Sequence, residues 1–251
     1  MIPKLAIVRE PGNSYSKCIS CHPLRHTIDI GKARRQHAEY CRVLADLGLE
    51  LIRVPRDDEN ADSCFVEDNA VIHNGKALIC RMAKDSRRGE TGAVESILEG
   101  MVRTRRATAP ATVEGGDVVH FSDRLLSGVT QRTNDHGVSQ MREWLEVKVD
   151  TVEDPSIVHL KSYVTHLGRD FVISTRRYSL HPALKGLSVL VVPEDEGYAA
   201  DTLTIGDTVL MARGRPKSQT LVKNAGFEVI SLDVGEIEKC EGALTCLSLI
   251  L

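Results

Sequence analysis

Residues 64–82 read CFVEDNAVIHNGKALICRM: a β-prone run, the dipeptide Asn74-Gly75 and a second β-prone run. An Asn-Gly pair between two such runs predicts a two-residue β-hairpin. The pattern returns in VEGGDVVHFSDRLLSGVT (113–130), VHLKSYVTHLGRDFVIST (158–175) and YAADTLTIGDTVLMARG (198–214), with turns at Ser122-Asp123, Gly168-Arg169 and Gly206-Asp207. Successive turns lie roughly 40 to 50 residues apart, the length of one supersecondary unit. The sequence therefore predicts a series of similar modules.

Helical patterns separate the hairpins, in residues 31–48, 85–100, 133–146 and 215–226. In the third of these, Val138, Met141, Trp144 and Leu145 form a helical stripe, and Asp85 is expected to cap the second. The predicted unit is strand, strand, helix, strand, repeated about five times. Residues 242–251 would be half of a fifth unit, completed by residues 4–10. A closed ring of such modules leaves no free sheet edge, so we expect one α/β domain over residues 1–251.

Composition narrows the class of protein. Hydrophobic residues at 42% and charged residues at 27% are ordinary for a globular chain, and a net charge of −3 gives no reason to expect nucleic acid or an anionic membrane as partner. No apolar run approaches a membrane span, and the first residues do not resemble a signal peptide. We therefore expect a cytoplasmic protein with a small-molecule partner. Its seven cysteines, an odd number without an export signal, are expected to be free thiols.

Reactive and charged side chains recur near the first strand of each hairpin. Glu67 and Asp68, Glu114, His159 and Cys246 occupy similar places in their modules. In a ring these places converge on the axis and bring together a candidate nucleophile, an imidazole and several carboxylates. A surplus of acceptors suits a cationic substrate, and carboxylates can hold the planar fork of a guanidinium group. The chemistry indicated is thiolate substitution on a guanidinium with release of an amine.

These motifs match a known family. FVEDNAV, SRRGE, VEGGDV, QRTNDHG, HLKS and GALTCLSL resemble, in order and spacing, the motifs of the dimethylarginine dimethylaminohydrolases, and the resemblance covers essentially the whole chain. It implies the five-fold pseudosymmetric α/β propeller of the guanidine-modifying (pentein) superfamily, built from ββαβ modules. It also implies hydrolysis of Nω-methylated L-arginine to L-citrulline and methylamine or dimethylamine through a covalent thiouronium intermediate, without a cofactor or metal.

The resemblance assigns roles to individual residues. Cys246 would be the nucleophile, His159 the general acid and base, and Glu114 the carboxylate paired with that histidine. The residues implied to bind substrate are Asp68 with Glu67 for the guanidinium, Arg87 and Arg132 for the α-carboxylate, Asp62 with the backbone at Phe65 and Cys240 for the α-amino group, and Ser162 beside the site. Asp117 is expected to be structural.

Alternative functions remain open. The related arginine deiminases carry an aspartate two residues after the histidine, where this chain has Lys161, so a deiminase acting on arginine or another small guanidine is the first alternative. The second is a non-catalytic guanidino-acid or metal-binding protein that uses Cys18, Cys21 and His22 of the CISCH segment, whose pattern is also that of c-type haem attachment. The family's mobile lid corresponds to residues 14–30, where no motif aligns. The sequence is compatible with a homodimer but does not establish the oligomeric state.

Overall fold

The computed structural model describes residues 3–251 and contains five three-stranded sheets arranged as a ring. The strands are β1 (Leu5–Val8), β2 (Glu50–Arg53), β3 (Ala70–His73), β4 (Lys76–Ile79), β5 (Arg103–Arg106), β6 (Val118–His120), β7 (Arg124–Val129), β8 (Lys148–Glu153), β9 (Val164–Gly168), β10 (Phe171–Ser174), β11 (Ser188–Val191), β12 (Leu203–Ile205), β13 (Thr208–Ala212), β14 (Glu228–Leu232) and β15 (Ser248–Ile250). The α-helices are α1 (Ile30–Asp46), α2 (Thr91–Leu98), α3 (Asp135–Leu145), α4 (Pro216–Asn224) and α5 (Gly235–Glu238).

Every sheet has the same topology. An antiparallel hairpin is followed by a third strand that lies parallel to the second strand of the hairpin, giving the orders β3-β4-β5, β6-β7-β8, β9-β10-β11 and β12-β13-β14. A parallel neighbour requires a crossover connection, and in most modules an α-helix supplies it. The five-module propeller predicted from the hairpin repeat is confirmed.

The ring is closed by the two ends of the described chain. β15 pairs antiparallel with β1, with Leu249 opposite Ile7, and β1 pairs parallel with β2. The carbonyl of Leu251 accepts hydrogen bonds from the backbone N–H groups of Lys4 and Leu5 at 2.8 and 3.0 Å. The expected fifth module, assembled from both ends, is therefore present. It holds the segment that carries Cys246 firmly against the rest of the ring.

Local chemistry explains the turns and the helix starts. Asn74 and Gly75 have φ angles of 48° and 72°, the left-handed backbone of a two-residue hairpin turn, which these two residue types tolerate. Asp29 caps α1 by accepting a hydrogen bond from the N–H of Lys32, and Asn134 caps α3 in the same way. The prediction that Asp85 caps a helix was wrong: it begins a 3₁₀ segment, Asp85–Glu90, and α2 starts only at Thr91.

One module lacks its helix. Between β10 and β11 the crossover contains only a 3₁₀ turn, Pro182–Leu184. Pro182 has no N–H to donate, and Gly186 has a φ of 90°, so neither favours a continuing helix there. In this module the crossover therefore departs from the predicted strand, strand, helix, strand order. Elsewhere the helices pack on the sheets and bury five apolar clusters around the ring.

Short 3₁₀ segments precede the first strand of four modules and the closing strand β15. These axial segments are Val66–Asn69, Gly115–Asp117, Leu160–Ser162, Glu194–Ala200 and Thr245–Leu247. The segment at 245–247 contacts the one at 66–69, that one contacts 115–117, and the series continues through 160–162 to 194–200. The segments therefore surround the axis, as the convergence argument predicts. No helix within residues 3–251 is both long and apolar enough to cross a membrane.

Candidate active site

A cavity of about 680 Å³ opens at one end of the axis. It is lined by nine of the eleven predicted site residues: Asp62, Phe65, Asp68, Arg87, Arg132, His159, Ser162, Cys240 and Cys246. Glu114 lies behind the wall, where it contacts His159. Only Glu67 is placed away from this group. The structure thus brings together a thiol, an imidazole and carboxylates from different modules.

His159 is held by carboxylates. Its Nε2 lies 2.9 Å from a carboxylate oxygen of Glu114, which is fully buried, and 3.7 Å from Asp68. Burial disfavours a charged imidazole, but the negative charges of Asp68, Glu114 and Asp117 outweigh it and raise the pKa of His159 to about 9. The histidine is therefore protonated at neutral pH and can donate a proton to a leaving group.

Cys246 has a different electrostatic environment. It lies in the axial segment Thr245–Leu247 and is 9% exposed, so its sulfur is reachable only from the cavity. Burial, reinforced by the negative charges of Asp201, Glu67 and Asp68, raises the pKa of the thiol well above its usual value. A thiolate here requires a positive charge to arrive beside it. Burial and these carboxylates therefore favour the thiol over the thiolate.

Asp68 is fixed by two donors. One oxygen accepts a hydrogen bond from the backbone N–H of Gly116 at 2.9 Å, and the other accepts from Arg87 at 3.0 Å. Burial raises its pKa, but His159 and Arg87 prevail, and the pKa of Asp68 lies below its usual value. Gly116 is required for this contact because a Cβ there would lie 2.8 Å from Asp68 and 2.7 Å from Nδ1 of His159.

Arg87 is the centre of a buried ion network. Its guanidinium donates to Glu90 at 2.9 and 3.0 Å, to Asp68 at 3.0 Å and to Glu114 at 3.2 Å. These four hydrogen bonds use four of its five N–H groups. Sequence reasoning named Arg87 as a clamp for substrate, but in the structure most of its donors hold the carboxylates in place. Glu90 was missed, although it lies three residues after Arg87, a spacing typical of helical ion pairs.

Arg132 differs from Arg87 in having free donors. It is 6% exposed and lines the cavity, and its Nε and Nη1 atoms donate no hydrogen bond to the protein. The nearest acidic oxygen belongs to Glu114 at 3.7 Å. These two atoms are themselves buried, but the residue lines the cavity and brings a positive charge to its wall.

Glu67 lines a different cavity from the other predicted site residues. Its carboxylate forms an ion pair with Lys161 at 2.5 Å, and both residues line a second cavity of about 930 Å³ that does not include Cys246 or His159. Glu67 and Asp68 are consecutive in one 3₁₀ segment, so their side chains leave it in different directions. Lys161, at the position where arginine deiminases carry an aspartate, thus neutralises the buried Glu67.

A cover segment, residues 14–28, contributes several residues to the cavity wall. Ile19, Ser20, Cys21 and His22 line the cavity, and the N–H of Ile19 donates to both oxygens of Asp62 at 3.2 and 3.3 Å. This is the segment that no motif could align. Burial raises the pKa of Asp62, which Arg87 and the Ile19 N–H partly oppose.

The expectation that all cysteines are free thiols was wrong. Cys18 of the cover segment is joined to Cys240 by a disulfide, with the Cα atoms 5.8 Å apart. The partners are 222 residues apart in sequence, and only closure of the ring makes them neighbours. With Cys18 in the disulfide, its thiol is unavailable for zinc or haem at CISCH. Cys21, Cys41, Cys64, Cys80 and Cys246 are free.

Two further residues complete the site. Asp117 accepts hydrogen bonds from the N–H of Leu160 at 2.9 Å and from Thr130 at 2.8 Å, and it thereby holds the segment next to His159. Asp201 is 3% exposed and lines the cavity, and it was missed. Its position just before the first strand of the fourth hairpin is the one at which other modules carry site residues.

Comparison with known proteins gives a consistent result. Residues 10–176 match the family model described as N,N dimethylarginine dimethylhydrolase, eukaryotic. The N(G),N(G)-dimethylarginine dimethylaminohydrolase of Streptomyces coelicolor is 37% identical over 99% of this chain and 97% of its own length. The enzyme of that name from Pseudomonas aeruginosa is 31% identical over 88% and 89% of the two chains.

Solved structures extend the comparison. A dimethylarginine dimethylaminohydrolase from Pseudomonas aeruginosa, a cysteine-to-serine variant in complex with citrulline, superposes with a TM-score of 0.97 at 29% identity over the whole of both chains. A histidine-to-glycine variant of a dimethylarginine dimethylaminohydrolase with an S-methyl-L-thiocitrulline adduct gives 0.96 at 30% identity, again over both whole chains. The N-terminal domain of ArgZ, an arginine dihydrolase from cyanobacteria, shares the fold, with 0.85 at 17% identity over 98% of this chain and 96% of its own.

Proposed function

The chain belongs to the dimethylarginine dimethylaminohydrolase family, and from this premise we propose that it hydrolyses Nω-methylated L-arginine to L-citrulline and methylamine or dimethylamine. The observation that carries the proposal is the composition of one cavity: a buried thiol, an imidazole paired with a buried carboxylate, and acidic side chains suited to a guanidinium. This set matches the demands of thiolate substitution on a cationic carbon centre.

Binding uses charge complementarity. Asp68 offers carboxylate oxygens to the guanidinium fork, and Asp62 faces the α-amino group with help from the backbone at Phe65 and Cys240. The guanidinium of Arg132 on the cavity wall takes the α-carboxylate, and Arg87 mainly holds the acids in place. A carboxylate is a strong acceptor for planar N–H donors. Ser162 lies on the cavity wall near His159.

The substrate itself activates the nucleophile. Burial and nearby carboxylates oppose a negative charge on Cys246, so the thiol keeps its proton. A bound guanidinium brings a positive charge next to the sulfur and lowers its pKa, so the thiol releases its proton to solvent. The thiolate then attacks the central carbon. Because one negative and one positive group combine, the tetrahedral adduct carries no net charge.

His159 acts in both halves of the reaction. The protonated imidazole donates its proton to the departing nitrogen, and the C–N bond breaks to give the amine and a thiouronium on Cys246. The neutral imidazole then takes a proton from water, whose oxygen attacks the same carbon. As that adduct collapses, the C–S bond breaks and the hydroxyl proton passes to the departing sulfur, so citrulline and the Cys246 thiol are released. Glu114 stabilises the imidazolium and fixes its orientation.

Citrulline formation from asymmetric dimethylarginine, monomethylarginine and arginine, measured in parallel, tests the proposal. The methylated substrates should give citrulline, and Cys246→Ser should abolish it. Cys41→Ser is the matched control, because that thiol is also buried but lies outside the cavity. A fastest reaction with arginine would support a deiminase instead, and activity retained in Cys246→Ser would remove the mechanism.

The location and oligomeric state expected from the sequence stay predictions. The Cys18–Cys240 disulfide bears on the first, because structural disulfides are rare in the reducing cytosol.

A further inference from the structure

Three cysteines lie together in the wall of the active-site cavity. Cys18 and Cys240 form the disulfide, whereas Cys21, three residues after Cys18, has a free and exposed thiol. All three line the cavity. The remaining cysteines are buried thiols, namely Cys41, Cys64, Cys80 and Cys246. An accessible thiol close to a disulfide is the arrangement from which thiol–disulfide exchange starts.

Hydrogen bonds hold Cys21 next to the residue that follows Cys240. The backbone N–H of Cys21 donates to the carboxylate of Glu241 at 2.8 Å. The hydroxyl of Ser20 donates to the carbonyl of Lys239, also at 2.8 Å. These two contacts and the disulfide join the two stretches of chain at three successive points. Position in the chain and contacts in the fold therefore both keep Cys21 near the disulfide.

Exposure and spacing decide which sulfur of the disulfide Cys21 attacks. Cys18 is 9% exposed and Cys240 only 3%, so Cys18 is the more accessible of the two. Cys18 and Cys21 also have the C-x-x-C spacing of dithiol oxidoreductases, whose two cysteines form a disulfide with each other. Cys18 is thus the target of the attack, and Cys240 is the leaving group.

We propose that Cys18, Cys21 and Cys240 form a thiol–disulfide exchange site, which switches the cover segment between a bonded and a released form. The thiolate of Cys21 attacks Sγ of Cys18. A Cys18–Cys21 bond forms as the Cys18–Cys240 bond breaks, and Cys240 leaves as a thiolate that takes up the proton lost by Cys21. One disulfide and one thiol are present before and after the step, so it requires no oxidant or reductant.

The two forms differ in how the cover segment is attached to the ring. In the bonded form a covalent bond to Cys240 holds it. In the released form only noncovalent contacts hold it, among them the hydrogen bonds from Ile19 to Asp62 and from Ser20 to the carbonyl of residue 239. Segments held by few, partly exposed hydrogen bonds open readily. The released form should therefore open this part of the cavity wall more often.

Disulfide mapping of the wild type tests the exchange. The protein is incubated at pH 8.5 without oxidant or reductant, quenched with acid, alkylated with N-ethylmaleimide in denaturant and digested with trypsin. Trypsin leaves Cys18 and Cys21 in one peptide, 18–25, and Cys240 in another, 240–251. The bonded form gives the two peptides joined, with label on Cys21, and the released form gives them separate, with label on Cys240. We expect at least about 10% of the released form.

Cys21→Ser is the matched control, because it keeps the disulfide and lacks the attacking thiol. It should give only the joined peptides, whereas Cys41→Ser, which changes a buried thiol outside the cavity, should behave like the wild type. Label on Cys21 alone in the wild type, or on all three cysteines, overturns the inference. Equal labelling of Cys240 in the wild type and in Cys21→Ser also overturns it.

Amide hydrogen exchange tests the effect on the cover segment. Cys240→Ser cannot form the bond to the ring, so residues 19–28 should exchange at least about 10-fold faster in that variant than in Cys21→Ser, which retains the bond. Equal exchange rates would show that the disulfide does not restrain the segment and would overturn the switch. Neither measurement uses catalysis, so both results are independent of the proposed function.

Discussion

Replacing Glu114 with glutamine should lower the pKa of His159. In the wild type burial opposes the imidazolium, and three carboxylates overcome it to raise the pKa to about 9. Glu114 makes the shortest contact, 2.9 Å. Removing one opposite charge at such a distance shifts a pKa by about 1 to 3 units. We therefore expect the pKa of His159 in Glu114→Gln to fall to between about 6 and 8.

The same change has a consequence for stability. A histidine whose pKa rises on folding stabilises the native state fully below its unfolded pKa, about 6.5, and loses that contribution as the pH rises through about 9. The difference of roughly 2.5 units, at about 1.36 kcal/mol per unit, corresponds to roughly 3 kcal/mol. In Glu114→Gln this alkaline loss should shrink and be complete at lower pH, because only the folded pKa changes.

An NMR titration of the His159 ring proton measures the pKa directly, and urea unfolding at pH 6 and pH 9.5 measures the stability change. Glu90→Gln is the control, since Glu90 binds the same Arg87 but makes no hydrogen bond to the imidazole. Its His159 pKa should stay within about one unit of the wild type. If the pKa of His159 stays at about 9 in Glu114→Gln, or if it falls equally in both variants, the pairing with Glu114 does not set the protonation of this histidine.

Three further predictions concern other parts of the molecule. Reducing the Cys18–Cys240 bond should lower the free energy of unfolding by up to about 5 kcal/mol, because the bond closes a very long loop; equal urea midpoints with and without reductant would contradict this. Gly116→Ala should lower kcat about 100-fold, because the added Cβ displaces the imidazole of His159. Gly92→Ala is the control and should leave kcat unchanged, because an added Cβ there meets nothing within 4 Å. Similar kcat values in the two variants would disprove the close contact between Gly116 and His159. Lys161→Met leaves a buried acid unpaired and should cost about 3 to 5 kcal/mol in urea unfolding; a loss below about 1 kcal/mol would show that the pair is dispensable.

Local chemistry made much of the fold predictable. The Asn-Gly turn and the helical stripes depend only on residues close together in the chain, so both can be predicted from the sequence. The regular alternation of hairpins and helices then indicates a closed ring of modules. The repeat predicted a helix in every module and so gave no warning that one is absent between β10 and β11. Pro182 and Gly186 do not favour a helix in that connection. Sequence spacing also predicts the convergence of Asp68, His159 and Cys246, since equivalent positions of modules meet at the axis.

Features that depend on direction or on distant contacts were not accessible. Glu67 and Asp68 are adjacent in sequence, yet one side chain enters each cavity, and no periodicity in a four-residue segment indicates which. The Cys18–Cys240 pair could not be inferred from spacing because ring closure alone brings the two together. Asp201 was missed although it precedes the first strand of its hairpin, the position that carries site residues in other modules. No recognisable motif surrounds it in the sequence.

The disulfide between Cys18 and Cys240 restricts the movement of the cover segment. A segment that is bonded to the ring at Cys18 cannot lift away from it as a whole. Ile19 and Leu24 in this segment are 40% and 53% exposed. The disulfide thus limits how far this part of the cavity wall can move away from the axis.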